Sequence, residues 1–170
     1  MPATSGKPGD LCMSDTKTAA LLSVINKQLD SASTIFQSLE SALAFDVPKL
    51  GKTGNAAIMV AGLIENYYTC LETAFHKISQ YFENNLDPAH WHSDLLEKMA
   101  LRLEGIRIPA VSEAGFRALQ ELQRFRHFKR YYFEQAYDWD RLDYLTKKLR
   151  EAHPIALADL RRFMDFVRSL

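Results

Sequence analysis

Residues 55–83 read NAAIMVAGLIENYYTCLETAFHKISQYFE, and their spacing settles the class of fold. Ile58, Val60, Leu63, Ile64, Tyr67, Tyr68, Leu71, Ala74, Phe75, Ile78 and Phe82 recur at steps of three and four. At 3.6 residues per turn they form one broad apolar face on a helix. A face this wide predicts burial on two sides, as in the central helix of a bundle. Asn84-Asn85-Leu86-Asp87-Pro88 ends the pattern.

Upstream, Leu21, Leu22, Val24, Ile25, Leu29, Ile35, Phe36, Leu39 and Leu43 show the same period, which predicts a helix over about Ser14 to Ala44. Ser14 or Asp15 can cap its start. Phe45, Asp46 and Val47-Pro48 are expected to end it, because the residue before proline disfavours helix. The connector 49–55 contains GKTG. A phosphate-binding loop needs GxxxxGK[ST] after a buried strand, and here that glycine and the strand are both missing. Downstream, a short helix is expected over about Ala89 to Leu103, interrupted by Gly105-Ile106-Arg107-Ile108-Pro109. Ser112 should begin another, with Glu113 in its first turn, running to about Glu134 or Ala136. Asp138 is a good cap for a last helical segment, which His153-Pro154 would kink or break. The expected fold is all-α: an antiparallel four-helix bundle with short extra helices. Residues 1–13 are expected as a flexible tail and 14–170 as a single domain.

The chain's 170 residues carry 21 basic and 21 acidic side chains, so global charge makes no case for nucleic acid and any such case must be local. No apolar run approaches the length of a membrane-spanning helix, and the first residues lack the hydrophobic stretch of a signal peptide, so a cytoplasmic protein is expected. The two cysteines, Cys12 and Cys70, lack partners at metal-like spacing and are expected as free thiols. His90 and His92 stand at i, i+2, which puts them on different helix faces, and Trp91 between them is expected to pack at a helix start. His76 is expected as a satisfied core or surface histidine, and Trp139 as a core anchor. No metal or cofactor is expected.

Chemistry concentrates in 122–133, LQRFRHFKRYYF. On a helix, Ala118, Leu122, Phe125, Phe128, Tyr132 and Ala136 fall on one side. Gln123, His127, Arg130 and Glu134 fall opposite, with Arg126 near the boundary. Guanidiniums offer bidentate forks for phosphate, imidazole moves protons near neutrality, and a phenol donates a hydrogen bond or attacks. A solvated, ion-paired face accounts for the same residues, with Glu134 as the i+4 partner of Arg130.

The run FRHFKRYYFEQAYDWDRL (125–142) resembles the signature region of the HepT-like domain of the HEPN superfamily. GLIENYYTCLETAF (62–75) is similar to that family's hydrophobic-Tyr-Thr-x-Leu-Glu helix, and WHSDLLEKM (91–99) to its W-H-x-x-L-L-x-x-M stretch. The resemblance covers about residues 55–170. It implies a helical bundle, usually a homodimer, in a family that includes metal-independent ribonucleases paired with a minimal nucleotidyltransferase antitoxin. The superfamily motif is Arg, four to six residues, then His, often followed by x-Tyr, and two motifs meet across the dimer. The partner can place AMP on the motif tyrosine.

This chain departs from that motif. With four residues between, Arg126 is followed by Tyr131 where His is expected, and Phe133 replaces the following Tyr. On the resemblance, the catalytic candidates are Arg126, His127, Arg130 and Tyr131. Arg124 and Lys129 are candidates for RNA contact, and Tyr131 or Tyr132 for accepting AMP. Two functions stay open: a dimeric ribonuclease toxin with His127 as a displaced base, or a non-catalytic module that binds a nucleotidyltransferase or a nucleic acid.

Overall fold

The computed structural model describes residues 8–83, 91–131 and 137–170, with side chains placed for 15–83, 95–128 and 137–170. Among them are four long helices, α1 (Pro8–Ser41), α3 (Gly54–Glu83), α5 (Glu113–Tyr131) and α6 (Trp139–Arg168). Two short ones, α2 (Val47–Leu50) and α4 (Trp91–Ala100), complete the set. No β-strand occurs among the described residues; a lone antiparallel bridge joins Leu103 to Arg107. The all-α bundle expected from periodicity is the fold.

α3 is the central helix and packs against α1, α4, α5 and α6. Ala56, Ala57, Val60, Ala61, Ile64, Tyr67, Tyr68, Leu71, Ala74, Phe75 and Ile78 are all buried, so its apolar face wraps most of its circumference. Exposed exceptions are few: Ile58 stands in solvent at its first turn. Side-chain bonds give the directions. Thr18 at the start of α1 meets Tyr81 at the end of α3, and Ser112 before α5 meets Asp159 late in α6. Both pairs therefore run antiparallel. Phe82 and Phe163 stack edge to face where α3 and α6 end together, so those two run parallel.

Two helix boundaries differ from expectation. α1 starts at Pro8, which suits a proline because the first helical N–H needs no partner; Ser14 and Asp15 therefore lie inside the helix and do not cap it. Nor does Val47-Pro48 terminate the helix. Residues Ala42–Asp46 form a π-turn, and α2 continues directly through Val47, which is helical at φ −61° and ψ −43°. A proline ring clashes with the carbonyl four residues back, and the wider π-turn supplies the room. Helix geometry ends at Gly51, whose φ of 73° is left-handed.

α6 likewise runs through Pro154 without a break, capped by the Asp138 carboxylate on the Asp140 N–H. At the start of α5, Ser112 Oγ accepts from the Gly115 N–H at 3.0 Å. The Asp159 carboxylate then accepts both the Ser112 N–H and hydroxyl at 2.7 Å.

Between α4 and α5, Arg107 fills a role the sequence did not announce. Its side chain is fully buried and donates to the Lys98 and Leu101 carbonyls and to Glu83 at 2.8–3.0 Å. It thereby satisfies carbonyls at the end of α4 and ties that end to α3.

Candidate functional site

α5 distributes the side chains of the signature stretch to two different neighbours, and the bundle geometry decides which. Arg126 points to α3. Its Nε donates to Thr69 Oγ1 at 2.8 Å, and its Nη2 lies 2.9 Å from Glu72 Oε2. The Thr69 hydroxyl donates to the Glu65 carbonyl, which leaves its lone pairs for the guanidinium. Only 14% of the Arg126 side chain and 12% of Glu72 are exposed. The pair is thus largely desolvated and held at two points.

Tyr68 lies beside this pair. Burial first, and the Glu72 carboxylate second, push its phenol well above the ordinary range, with Arg126 opposing. Tyr67 is raised likewise, by burial and by Cys70. Burial also raises the Cys70 thiol. None of these three is activated as a nucleophile, since each holds its proton more tightly than usual.

Arg124 points the other way, to α6. Glu121 Oε1 accepts from Arg124 at 2.6 Å while its Oε2 accepts from Arg141 at 3.0 Å. Phe125 is buried and Phe128 is partly exposed on the same side, so Phe128 is only partly covered by the core the periodicity assigned it to. His127 is exposed. It follows Arg126 directly, so it projects about 100° around the helix from it. The two side chains therefore leave α5 in different directions. Lys129, Arg130 and Tyr131 form the last turn of α5, with side chains outside the described residues; Tyr132 and Glu134 lie outside them altogether.

The weaker candidates settle into the scaffold. Tyr67 bonds His153 Nδ1 at 3.0 Å, and the His153 ring stacks on Phe36 at 4.1 Å. His76 sits on α3 within 3.5 Å of Gln80. Trp139 packs half-buried at the start of α6 with the Lys52 ammonium 5.3 Å over its ring, as an anchor at a helix start should. No group of three metal-ligating side chains occurs among the described residues. No helix of the described residues is long and apolar enough to cross a membrane.

What sequence reasoning missed is the acidic partner. Glu72 closes the Leu-Glu pair of the α3 signature, and its spacing from Thr69 puts both on one side of α3. That shared side was legible; its facing Arg126 was not.

A family model described as HepT-like protein matches residues 59–167, which spans α3 to the end of α6. No curated protein and no solved structure matches the chain. The match takes in the α3 segment bearing Thr69 and Glu72 together with the α5 segment bearing Arg126, so the ion pair lies wholly within the shared domain, and the chain belongs to the HepT-like family, with its all-α HEPN-type bundle.

Proposed function

We propose that this chain is the HEPN component of a two-protein pair with a minimal nucleotidyltransferase, and that as a homodimer it acts by binding and does not cut RNA. One observation carries the non-catalytic half. Arg126, taken as the motif arginine, is bound on two sides by Thr69 and Glu72 inside the bundle, while the four-residue spacing from it lands on Tyr131 where the motif has a histidine. A guanidinium already neutralised by a carboxylate has little charge left to stabilise a phosphorane. An imidazole about 100° away cannot share its substrate within the protomer.

The pairing half rests on family membership. In such a pair Tyr131 or Tyr132 is the AMP acceptor. Its oxygen attacks the α-phosphorus of ATP held by the partner, pyrophosphate leaves, and the phenolic proton passes to solvent.

Co-expression with a nucleotidyltransferase encoded beside the gene tests the pairing. Expected are a stable complex and an adenylyl mass shift on the peptide containing Tyr131 and Tyr132; no complex and no shift, with an active partner, sink it. The catalytic half is tested by incubating the pure protein with RNA in EDTA. Intact RNA is expected. Cleavage that persists in EDTA and disappears in His127→Ala would restore the ribonuclease reading, with His127 and Arg126 supplied by different protomers.

A further inference from the structure

Where the start of α1 lies against the end of α3, the seam between them opens into a groove of about 690 Å³. α1 lends it Lys17, Ala20, Leu21 and Val24, which stand at steps of three and four on one helix face. Lys77, Gln80 and Tyr81 form the wall from α3. The floor is apolar: Leu21 is buried, Val24 is half-buried, and the exposed Ala20 ends at its Cβ and leaves the space open. The Tyr81 hydroxyl bonds Thr18 at 2.7 Å and its ring meets Phe82 edge to face, so this wall is fixed before anything binds.

The charge of the lining has one sign. Lys17 and Lys77 stand exposed, one from each helix. Among the described residues neither is in an ion pair; Lys77 donates to the neutral Gln80 amide oxygen at 3.1 Å. Cations elsewhere behave differently: Arg150 holds Glu40, Lys148 holds Glu151 and Arg168 holds Asp165. No carboxylate lines the groove. In a chain with as many acidic as basic side chains, two unneutralised ammoniums over an apolar floor select a partner that is both anionic and apolar.

The backbone decides the form of that partner. Both walls are helices whose main-chain groups are already bonded, so an extended strand would find only the Gln80 side-chain amide for its own polar groups. A helix arrives with its backbone satisfied. The groove is concave, and a bilayer surface does not enter it. Lys17 to Val24 rises about 10 Å, the length of about two helical turns.

We infer that the α1–α3 groove docks a short acidic amphipathic helix of a partner protein, with apolar side chains against Ala20, Val24 and Tyr81 and carboxylates on Lys17 and Lys77. Its α1 wall precedes residues 59–167, so the groove lies partly outside the domain shared with the family. It needs neither RNA nor the nucleotidyltransferase, so failure of the pairing test leaves it standing.

The test is fluorescence anisotropy of the full chain with a labelled, stapled helical peptide of leucine and glutamate, its leucines at steps of three and four. A scrambled peptide of the same composition and a leucine–lysine helix serve as comparisons, and decanoate as competitor. Lys17, Ala20 and Lys77 are exposed, so their replacement spares the core, and circular dichroism verifies this. The leucine–glutamate helix should bind about tenfold more tightly than either comparison, and Lys17→Glu/Lys77→Glu should lose about tenfold or more. Ala20→Met, which fills the groove and leaves its charge unchanged, should weaken binding several-fold. The inference is overturned if the leucine–glutamate helix does not bind, or if the leucine–lysine helix binds as well. It is equally overturned if the scrambled peptide binds as well or Ala20→Met binds like the parent, either of which would reduce the groove to an unspecific basic surface. Full displacement by decanoate would assign the groove to a small anionic amphiphile and exclude the helix.

Discussion

Arg126 on α5 and Glu72 on α3 form a largely desolvated ion pair at 2.9 Å, which ties the signature helix to the centre of the bundle. The pair is short, and a second bond to Thr69 orients it. Removing one partner of such a pair leaves a charge without water or counter-ion.

Arg126→Met should therefore destabilise the fold by about 3 kcal/mol, because Glu72 is left unpaired. The double variant Arg126→Met/Glu72→Gln should recover part of that loss, with a coupling energy of about 1–3 kcal/mol in a double-mutant cycle by urea denaturation. Additive losses would show that the two side chains do not act as a pair.

Gly115 tests the α5 entry. A Cβ there would collide with Asp159 Oδ2 and press on Val111 and the Ser112 hydroxyl. Asp159 is 5% exposed and holds both donors of Ser112, so it has little room to yield. Gly115→Ala should cost about 1–3 kcal/mol through crowding. Gly54→Ala, where a Cβ meets nothing within 4 Å, serves as the control and should be neutral or stabilising by about 0.5 kcal/mol. Thermal melts of the two variants check both, and equal melting temperatures would refute the crowding.

His153 makes stability depend on pH. Burial first, and Arg161 second, hold its imidazole below the usual value of 6.5. The Tyr67 hydroxyl on Nδ1 and the Phe36 ring suit the neutral form, and the Arg150–Glu40 pair one turn away carries no net charge. The unfolded imidazole takes up a proton as pH falls through 6.5, while the folded one resists until lower pH. In that window the unfolded state binds more protons, so stability rises with pH. The contribution is whole above pH 6.5 and shrinks below it. Melting temperatures of the parent and of His153→Gln should differ most near pH 8 and converge toward pH 5; a constant difference would exclude the imidazole.

How far the chain could be read without coordinates varies by element. The α3 pattern was decisive because a period of 3.6 is local, and Tyr67, Leu71 and Phe75 are buried as it requires. Asp138 and Ser112 were legible as caps for the same reason: a cap acts within three residues. Val47-Pro48 misled, because the bias against helix before proline is a local preference that the surrounding packing can outweigh: Val47 is helical, and α6 likewise runs through His153-Pro154. Arg107 passed unnoticed because nothing near it in the chain marks an arginine that caps a helix from a following loop.

The signature stretch shows the division most clearly. Sequence alone determined that a helix begins at Ser112, that Phe125 and Phe128 share one side with His127 opposite, and that Arg126 lies near the boundary, since these follow from the rise and rotation of a single helix. Only the tertiary structure decided what each side meets: Glu72 and Thr69, 57 residues back in the chain for the latter, on one flank, and Glu121, Tyr137 and Arg141 around an open seam on the other. Covalent geometry sets a side chain's direction, but its partner depends on how whole helices pack, and that choice is made by the summed burial of all their faces rather than by any residue within the motif.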